Sequence, residues 1–199
     1  YVPVVRISEQ NDASIVQSNY SSQPIRTVLV FANPSGEPSL PQAAREAEQI
    51  ADILLAAKFA VRLIHRVPSE HEYLEAFDAA DLIYYTGHGR IIDGHPAIPL
   101  GNQWVPFAAT TGLIRRRPRG LFFAACLAEG AMPRYNQLSG WFVSPISRLA
   151  DRVSDFSMQF VRTLSDGVPV LDAWRSAGIA DQAANDIRRF LFQLQAGWM

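Results

Sequence analysis

From residue 25 onward the chain alternates between two hydrophobic periods, one suited to strands and one to helices. The stretch "IRTVLVFANP" (25–34) is β-branched and apolar and is ended by Asn33-Pro34, which predicts a first buried strand. "LPQAAREAEQIADILLAAK" (40–58) then sets Ala43, Ala44, Ala47, Ile50, Ala51, Leu54 and Leu55 on one helical face, with Arg45, Glu46, Glu48 and Asp52 elsewhere. Ser39 and Pro41 supply the start signals of that helix. "AVRLIHRV" (60–67) alternates as a second strand, and "SEHEYLEAFDAA" (69–80) spaces Ser69 and Glu72 as a capping box, with Leu74 and Phe77 facing inward.

Two continuous apolar runs follow, at about 82–86 in "DLIYYTGHG" and at 120–126 in "GLFFAAC", and a fifth strand is expected within "LSGWFVSP" (138–145). "SDFSMQFVRTLSDG" (154–167) carries Phe156, Phe160, Val161 and Leu164 at helical spacing with Gly167 as its stop, and Pro169 opens a last helix with Leu171, Trp174 and Ala177. Strands alternating with helices predict an α/β fold with a largely parallel sheet.

Composition narrows the setting. A formal net charge of −1 over 199 residues, 48% of them hydrophobic, suits an ordinary globular domain and calls for neither nucleic acid nor an anionic membrane as partner. No apolar run approaches the roughly 18 residues that span a bilayer, so a cytoplasmic location is the expectation. Residues 7–24 are polar and rich in Ser, Asn and Gln. Residues 1–24 are therefore read as an arm or linker and 25–199 as the folded domain, a module within a longer protein.

The single cysteine, Cys126, excludes an internal disulfide framework, so any sulfur chemistry must be its own. In open α/β sheets ligands gather beyond the carboxyl ends of the strands. His88 stands just past one such end and Cys126 at another, 38 residues apart, with about one crossover unit between them. If those strands are parallel neighbours, an imidazole meets a thiol on one rim, the arrangement that activates a nucleophile. Gly89, with no Cβ, lets its N–H approach a developing oxyanion, and the N–H of Cys126 is the second donor.

Taken singly, each residue has a plainer explanation: a cysteine ending an apolar strand is usually a small buried hydrophobe, and a histidine between glycines a surface turn. Their coincidence at equivalent strand ends is what favours chemistry. His65 and His71 fall within a strand pattern and near a helix start, and His88 with His95 lacks the carboxylate-rich company of a metal site. GxSxG, GxxxxGK[ST], GxGxxG and HExxH are all absent, and the basic run "RRRPR" (115–119) has no interleaved aromatics, as befits a solvated loop or helix end.

"LPQAAREAEQIADIL", "DLIYYTGHG", "GLFFAAC" and "FSMQFVRTLSDGVPVLDAWRSA", in this order and spacing, resemble the CHAT domain, a caspase-like peptidase module related to separase and the caspases, over about residues 25–180. The resemblance implies a caspase-hemoglobinase three-layer sandwich, a mostly parallel central sheet with helices on both faces, and peptide-bond hydrolysis by a Cys-His dyad without metal or organic cofactor. Cys126 is then the nucleophile, His88 the proton-transfer partner, and the Gly89 and Cys126 amides the oxyanion donors.

The resemblance further implies a protein or peptide substrate extended along the rim, and a pocket shaped by Asn33 and Glu37 after the first strand, Ala124 before the cysteine, and Ser144 at the fifth strand. It also implies control by a sensor or regulatory domain in a larger protein of bacterial defence or cell death. The chain departs from the family after the cysteine, where it reads Leu127-Ala128-Glu129-Gly130. That departure points to the alternative, an inactive CHAT-like module that only binds a partner. A flavodoxin-like ligand binder is a third reading, resting on fold class alone.

Overall fold

A computed structural model describes residues 5–7, 25–33, 39–106, 109, 113, 115–116, 118–125, 140–145, 154–183 and 190–194. Within the described residues these elements follow along the chain: β1 (Val5–Ile7), β2 (Thr27–Asn33), α1 (Pro41–Ala56), β3 (Ala60–Ile64), α2 (Glu70–Ala79) and β4 (Leu82–Gly87), then β5 (Arg90–Ile92), β6 (His95–Leu100), β7 (Gln103–Pro106) and β8 (Gly120–Ala125), and finally β9 (Trp141–Pro145), α3 (Asp155–Ser165), α4 (Val170–Ala183) and β10 (Phe190–Leu194).

The main sheet has seven strands in the order β1-β10-β9-β8-β4-β2-β3. Its five strands from β9 to β3 are mutually parallel, while β10 runs antiparallel to β9 and β1 runs parallel to β10. Val5–Ile7, within the segment read as a polar arm, thus form one edge of the sheet. The central strands β4 and β8 are buried at every residue, as a sheet covered on both faces requires.

One face, carrying Val28, Val30, Leu82, Tyr84, Phe122 and Val143, packs against α1, α3 and α4. The other, carrying Leu29, Phe31, Ile83, Tyr85, Phe123 and Phe142, packs against Tyr73, Ala76 and Phe77 of α2 and against Ile98 and Leu100 of β6. The α/β sandwich expected from the sequence is therefore the one formed.

Two local expectations are corrected. The buried face of α1 includes Glu46 and excludes Leu55, which is 52% exposed. Glu46, only 3% exposed, is held there because it accepts from the Tyr84 hydroxyl and, at 2.6 Å, from the Ser154 N–H at the start of α3. A buried carboxylate is tolerated when such donors surround it. The second strand stops at Ile64, short of the exposed His65.

The capping box at α2 is in place: Ser69 Oγ accepts from the Glu72 N–H at 3.2 Å, and the Glu72 carboxylate accepts from the Ser69 N–H as well as from Arg66, the latter at 2.6 and 2.9 Å. The connection from β4 to β8 contains a three-stranded antiparallel meander, β5-β6-β7. Asp93 (φ +50°) and Gly94 (φ +74°) form its first turn, the doubly left-handed two-residue type whose twist matches paired strands.

Candidate active site

The rim at the carboxyl ends of β2, β4 and β8 is built by register. Thr86 is paired with Ala32 on one side and Ala124 on the other, and Gly87 with Asn33 and Ala125. Gly87, at φ +147°, occupies a backbone region closed to residues with a Cβ, and there the chain leaves the sheet. His88 is the next residue after Gly87, and Cys126 the next after its partner Ala125. Cys126 itself lies outside the described residues, as does Glu37.

His88 is half-buried. Its Nε2 is shut off from solvent and has no hydrogen-bond partner among the described residues. Its carbonyl is taken from below by the hydroxyl of Tyr85, three residues earlier on β4. Tyr85 is fully buried, with its ring 4.9 Å from that of Phe31 on β2 and 5.3 Å from that of Phe123 on β8, the residues paired with it across both strand borders. Each such ring pair contributes about 0.5–1.5 kcal/mol beyond the area it buries.

Tyr73 of α2 packs against Phe31 with centroids 6.3 Å apart, and its hydroxyl finds no partner among the described residues. Burial, reinforced by the neighbouring Tyr85, pushes the Tyr73 phenol far above its ordinary range, so it stays neutral at any physiological pH. Just beyond the histidine, the exposed Arg90 side chain lies 5.1 Å from the centre of the Trp104 ring across the meander.

The other expected pocket residues are placed differently from one another. Asn33 ends β2 in register with Gly87. Ala124 is 5% exposed, and its methyl belongs to the core packed against α1, α3 and α4. Ser144 on β9 is fully buried, and its hydroxyl has no partner among the described residues. Gly89 is half-buried between β4 and β5, and no described residue accepts from its N–H.

Of the other histidines, the exposed His65 directly follows the carboxyl end of β3, a strand separated from β4 by β2, and the exposed His71 lies 3.4 Å from Glu75 one helical turn on.

Sequence reasoning missed Tyr85. The signal available was a tyrosine inside a run otherwise suited to pure hydrocarbon, since a buried phenol requires an acceptor. Glu46 was visible only as the last residue of a Leu-Pro-x-x-x-x-Glu helix start.

No family model matches the sequence, and no curated protein matches it. Solved structures do. The Arg-specific cysteine proteinase gingipain R superposes with a TM-score of 0.67 at 12% identity, over 92% of this chain and 51% of that one. The Drosophila initiator caspase Dronc superposes with a TM-score of 0.50 at 10% identity, over 98% of this chain and 93% of that one. The fold is caspase-like. This chain spans about half the length of the gingipain chain, and at these identities the likeness concerns architecture. Among the described residues no helix is long and apolar enough to cross a membrane.

Proposed function

We propose that this chain is a cysteine endopeptidase in which Cys126 and His88 form the catalytic dyad. The observation that carries the reading is the Gly87–Ala125 pairing of two adjacent parallel strands. Neighbouring strands lie about 4.8 Å apart and successive Cα atoms 3.8 Å, so residues 88 and 126 depart from adjacent points of one rim. A shielded His88 Nε2 with no hydrogen-bond partner among the described residues supports it, because leaving a buried imidazole nitrogen unbonded is costly and such groups call for a functional explanation.

An ordinary thiol is only about 3% ionised at pH 7, so the imidazole must take its proton. The sulfur then adds to the scissile carbonyl carbon, the C–N bond breaks, and the imidazolium returns the proton to the departing amine. Water, deprotonated by the same imidazole, attacks the thioester, releases the carboxylic acid and restores the thiol. The N–H groups of Gly89 and Cys126 are the donors for the oxyanion formed in each half.

No metal or organic cofactor enters these steps. The substrate is a protein or peptide in extended form. Asn33, Glu37, Ala124 and Ser144 are the positions that the resemblance assigns to its pocket. The same resemblance to the CHAT domain extends the reading to an effector module, controlled by a regulatory domain or partner in a larger bacterial defence or cell-death protein and acting in the cytoplasm.

The test is cleavage of a fluorogenic peptide panel, with Arg, Asp and apolar residues before the scissile bond, by the intact chain beside Cys126→Ala and His88→Ala. Turnover confined to the parent is the expected result, and cleavage surviving Cys126→Ala removes the dyad. An iodoacetamide reaction at Cys126 as slow as that of free cysteine, and indifferent to His88→Ala, would replace the enzyme by a peptide-binding module of the same fold.

A further inference from the structure

Resting on the dyad reading, the geometry points to a role for Tyr85 beyond the core: we propose that Tyr85 is a positioning residue whose hydroxyl, by holding the His88 carbonyl, turns the Gly89 N–H outward as an oxyanion donor. The carbonyl of His88 and the N–H of Gly89 belong to one planar trans peptide, so they point in opposite directions. Tyr85 sits in the sheet beneath the rim and captures the carbonyl. The N–H on the other side of the same plane is thereby aimed away from the core, and no described residue accepts from it.

The chain around His88 needs such a clamp. Gly87 and Gly89 flank the histidine, and glycine resists peptide rotation least of all residues. Nothing within the two-residue link between β4 and β5 fixes this peptide, whereas Tyr85 is fixed by Phe31 and Phe123 on both neighbouring strands. Rigidity of the central sheet is thus passed to the rim through a single hydroxyl. Oxyanion donors act only when they are already aimed where charge will develop, which is why their orientation matters more than their presence.

Tyr84 provides the matched control. It is the adjacent residue of β4, equally buried, and its hydroxyl is spent on Glu46 on the opposite face of the sheet. Tyr85→Phe and Tyr84→Phe each delete one buried hydroxyl and keep the ring stacking, yet only the first touches the His88–Gly89 peptide.

The experiment uses the full chain and three readouts. With a cleaved peptide, Tyr85→Phe is expected to lower kcat roughly 10- to 100-fold, short of the roughly 100- to 1000-fold that follows loss of a whole oxyanion donor, while KM stays within about 2-fold. Alkylation of Cys126 by iodoacetamide, which creates no oxyanion, should stay within about 3-fold of the parent rate. Tyr84→Phe should leave both within about 2-fold.

An unchanged kcat in Tyr85→Phe overturns the proposal. So does an alkylation rate that falls in step with kcat, because Tyr85 would then be supporting the imidazole or the fold. The third readout needs no turnover: the His88 carbonyl-carbon and Gly89 amide-nitrogen resonances should move in Tyr85→Phe and stay in Tyr84→Phe, and unmoved resonances in Tyr85→Phe also overturn it. Failure of the dyad reading is seen separately, as cleavage that survives Cys126→Ala while the resonances still report the clamp.

Discussion

Strand β4 begins just after Asp81 and ends just before His88, and the chain treats these two polar residues in opposite ways. At the amino rim, Asp81 Oδ2 accepts from the N–H groups of Arg26 and Thr27, at 2.9 and 3.0 Å, and from the Thr27 hydroxyl at 3.0 Å, while Oδ1 receives the Arg116 guanidinium. Its backbone is used as fully: the Asp81 N–H donates to Thr27, and the Asp81 carbonyl accepts from Arg119 and Gly120. One residue therefore ties together the starts of β2, β4 and β8. At the carboxyl rim, His88 has its carbonyl held by Tyr85 but its Nε2 buried without a described partner. A polar group whose bonds are all made is part of the scaffold; a titratable nitrogen at a strand end, shut away without a described partner, is a candidate for chemistry.

The comparison breaks if His88 proves to be scaffold as well. His88→Ala is expected to lower peptide cleavage by about 1000-fold or more, the loss of both proton-transfer steps, while the thermal midpoint followed by circular dichroism moves by no more than about 2 °C. A fall of many degrees, with activity lost only in proportion to the folded fraction, would place His88 beside Asp81 and end the distinction.

Asp81→Ala should give the reverse pattern. It strands two backbone donors and a guanidinium, at an expected cost of about 3 kcal/mol in urea unfolding. Turnover per folded molecule stays near the parent value well below the melting temperature. Loss of turnover by a folded Asp81→Ala protein would show that the two ends of β4 are coupled through the sheet.

The pH dependence of stability sharpens the same contrast. Burial acts to raise the Asp81 carboxyl, but the Arg26 and Thr27 amides, the Thr27 hydroxyl and the Arg116 charge outweigh it and hold the group below its ordinary value of 3.8. Because the folded-state value lies below the unfolded one, the contribution is complete above about pH 4 and fades as pH falls through the folded value. Urea midpoints of the parent and of Asp81→Asn should therefore differ most at pH 6 to 7 and converge toward pH 3. A gap that persists unchanged at pH 3 would mean that Asp81 acts through shape rather than charge.

How much of this could be read from the sequence follows from how local each cause is. The strands "DLIYYTG" and "GLFFAAC" were legible because a parallel strand covered on both faces must be apolar at every position, and few other segments are. The α1 stripe was legible for the same reason at a different period, and of its two errors, Leu55 and Glu46, the second arises from a partner 108 residues away, the Ser154 N–H, which no local pattern contains.

The meander escaped because β5, β6 and β7 are only 3, 6 and 4 residues long and carry Pro96, Pro99 and Pro106, leaving Asp93-Gly94 as the single cue. The edge strand β1 and its neighbour β10, which lies between β1 and β9, owe their state to register with their partners, not to their own residues. At the site, His88 was conspicuous as a rare residue type at a strand end. Tyr85 was not, because its importance lies in the direction of one hydroxyl.

The smallest effect expected lies at the start of α2, where satisfaction and redundancy can be told apart. Ser69 Oγ is the cap of that helix, and the neighbouring Pro68 carbonyl accepts from the Gly101 N–H at 2.7 Å, so the same turn anchors the meander that follows His88. Ser69→Ala removes one cap bond and should cost about 1 kcal/mol, a shift of roughly 2–4 °C in the thermal midpoint, with cleavage unchanged. Glu72→Gln should change stability less than Ser69→Ala, since glutamine keeps an acceptor for the Ser69 N–H and the Arg66 partner stays exposed to water. If Ser69→Ala instead lowered cleavage without altering the melt, the α2 start would reach the rim through the meander, and the scaffold would extend nearer to His88 than the Asp81 cluster suggests.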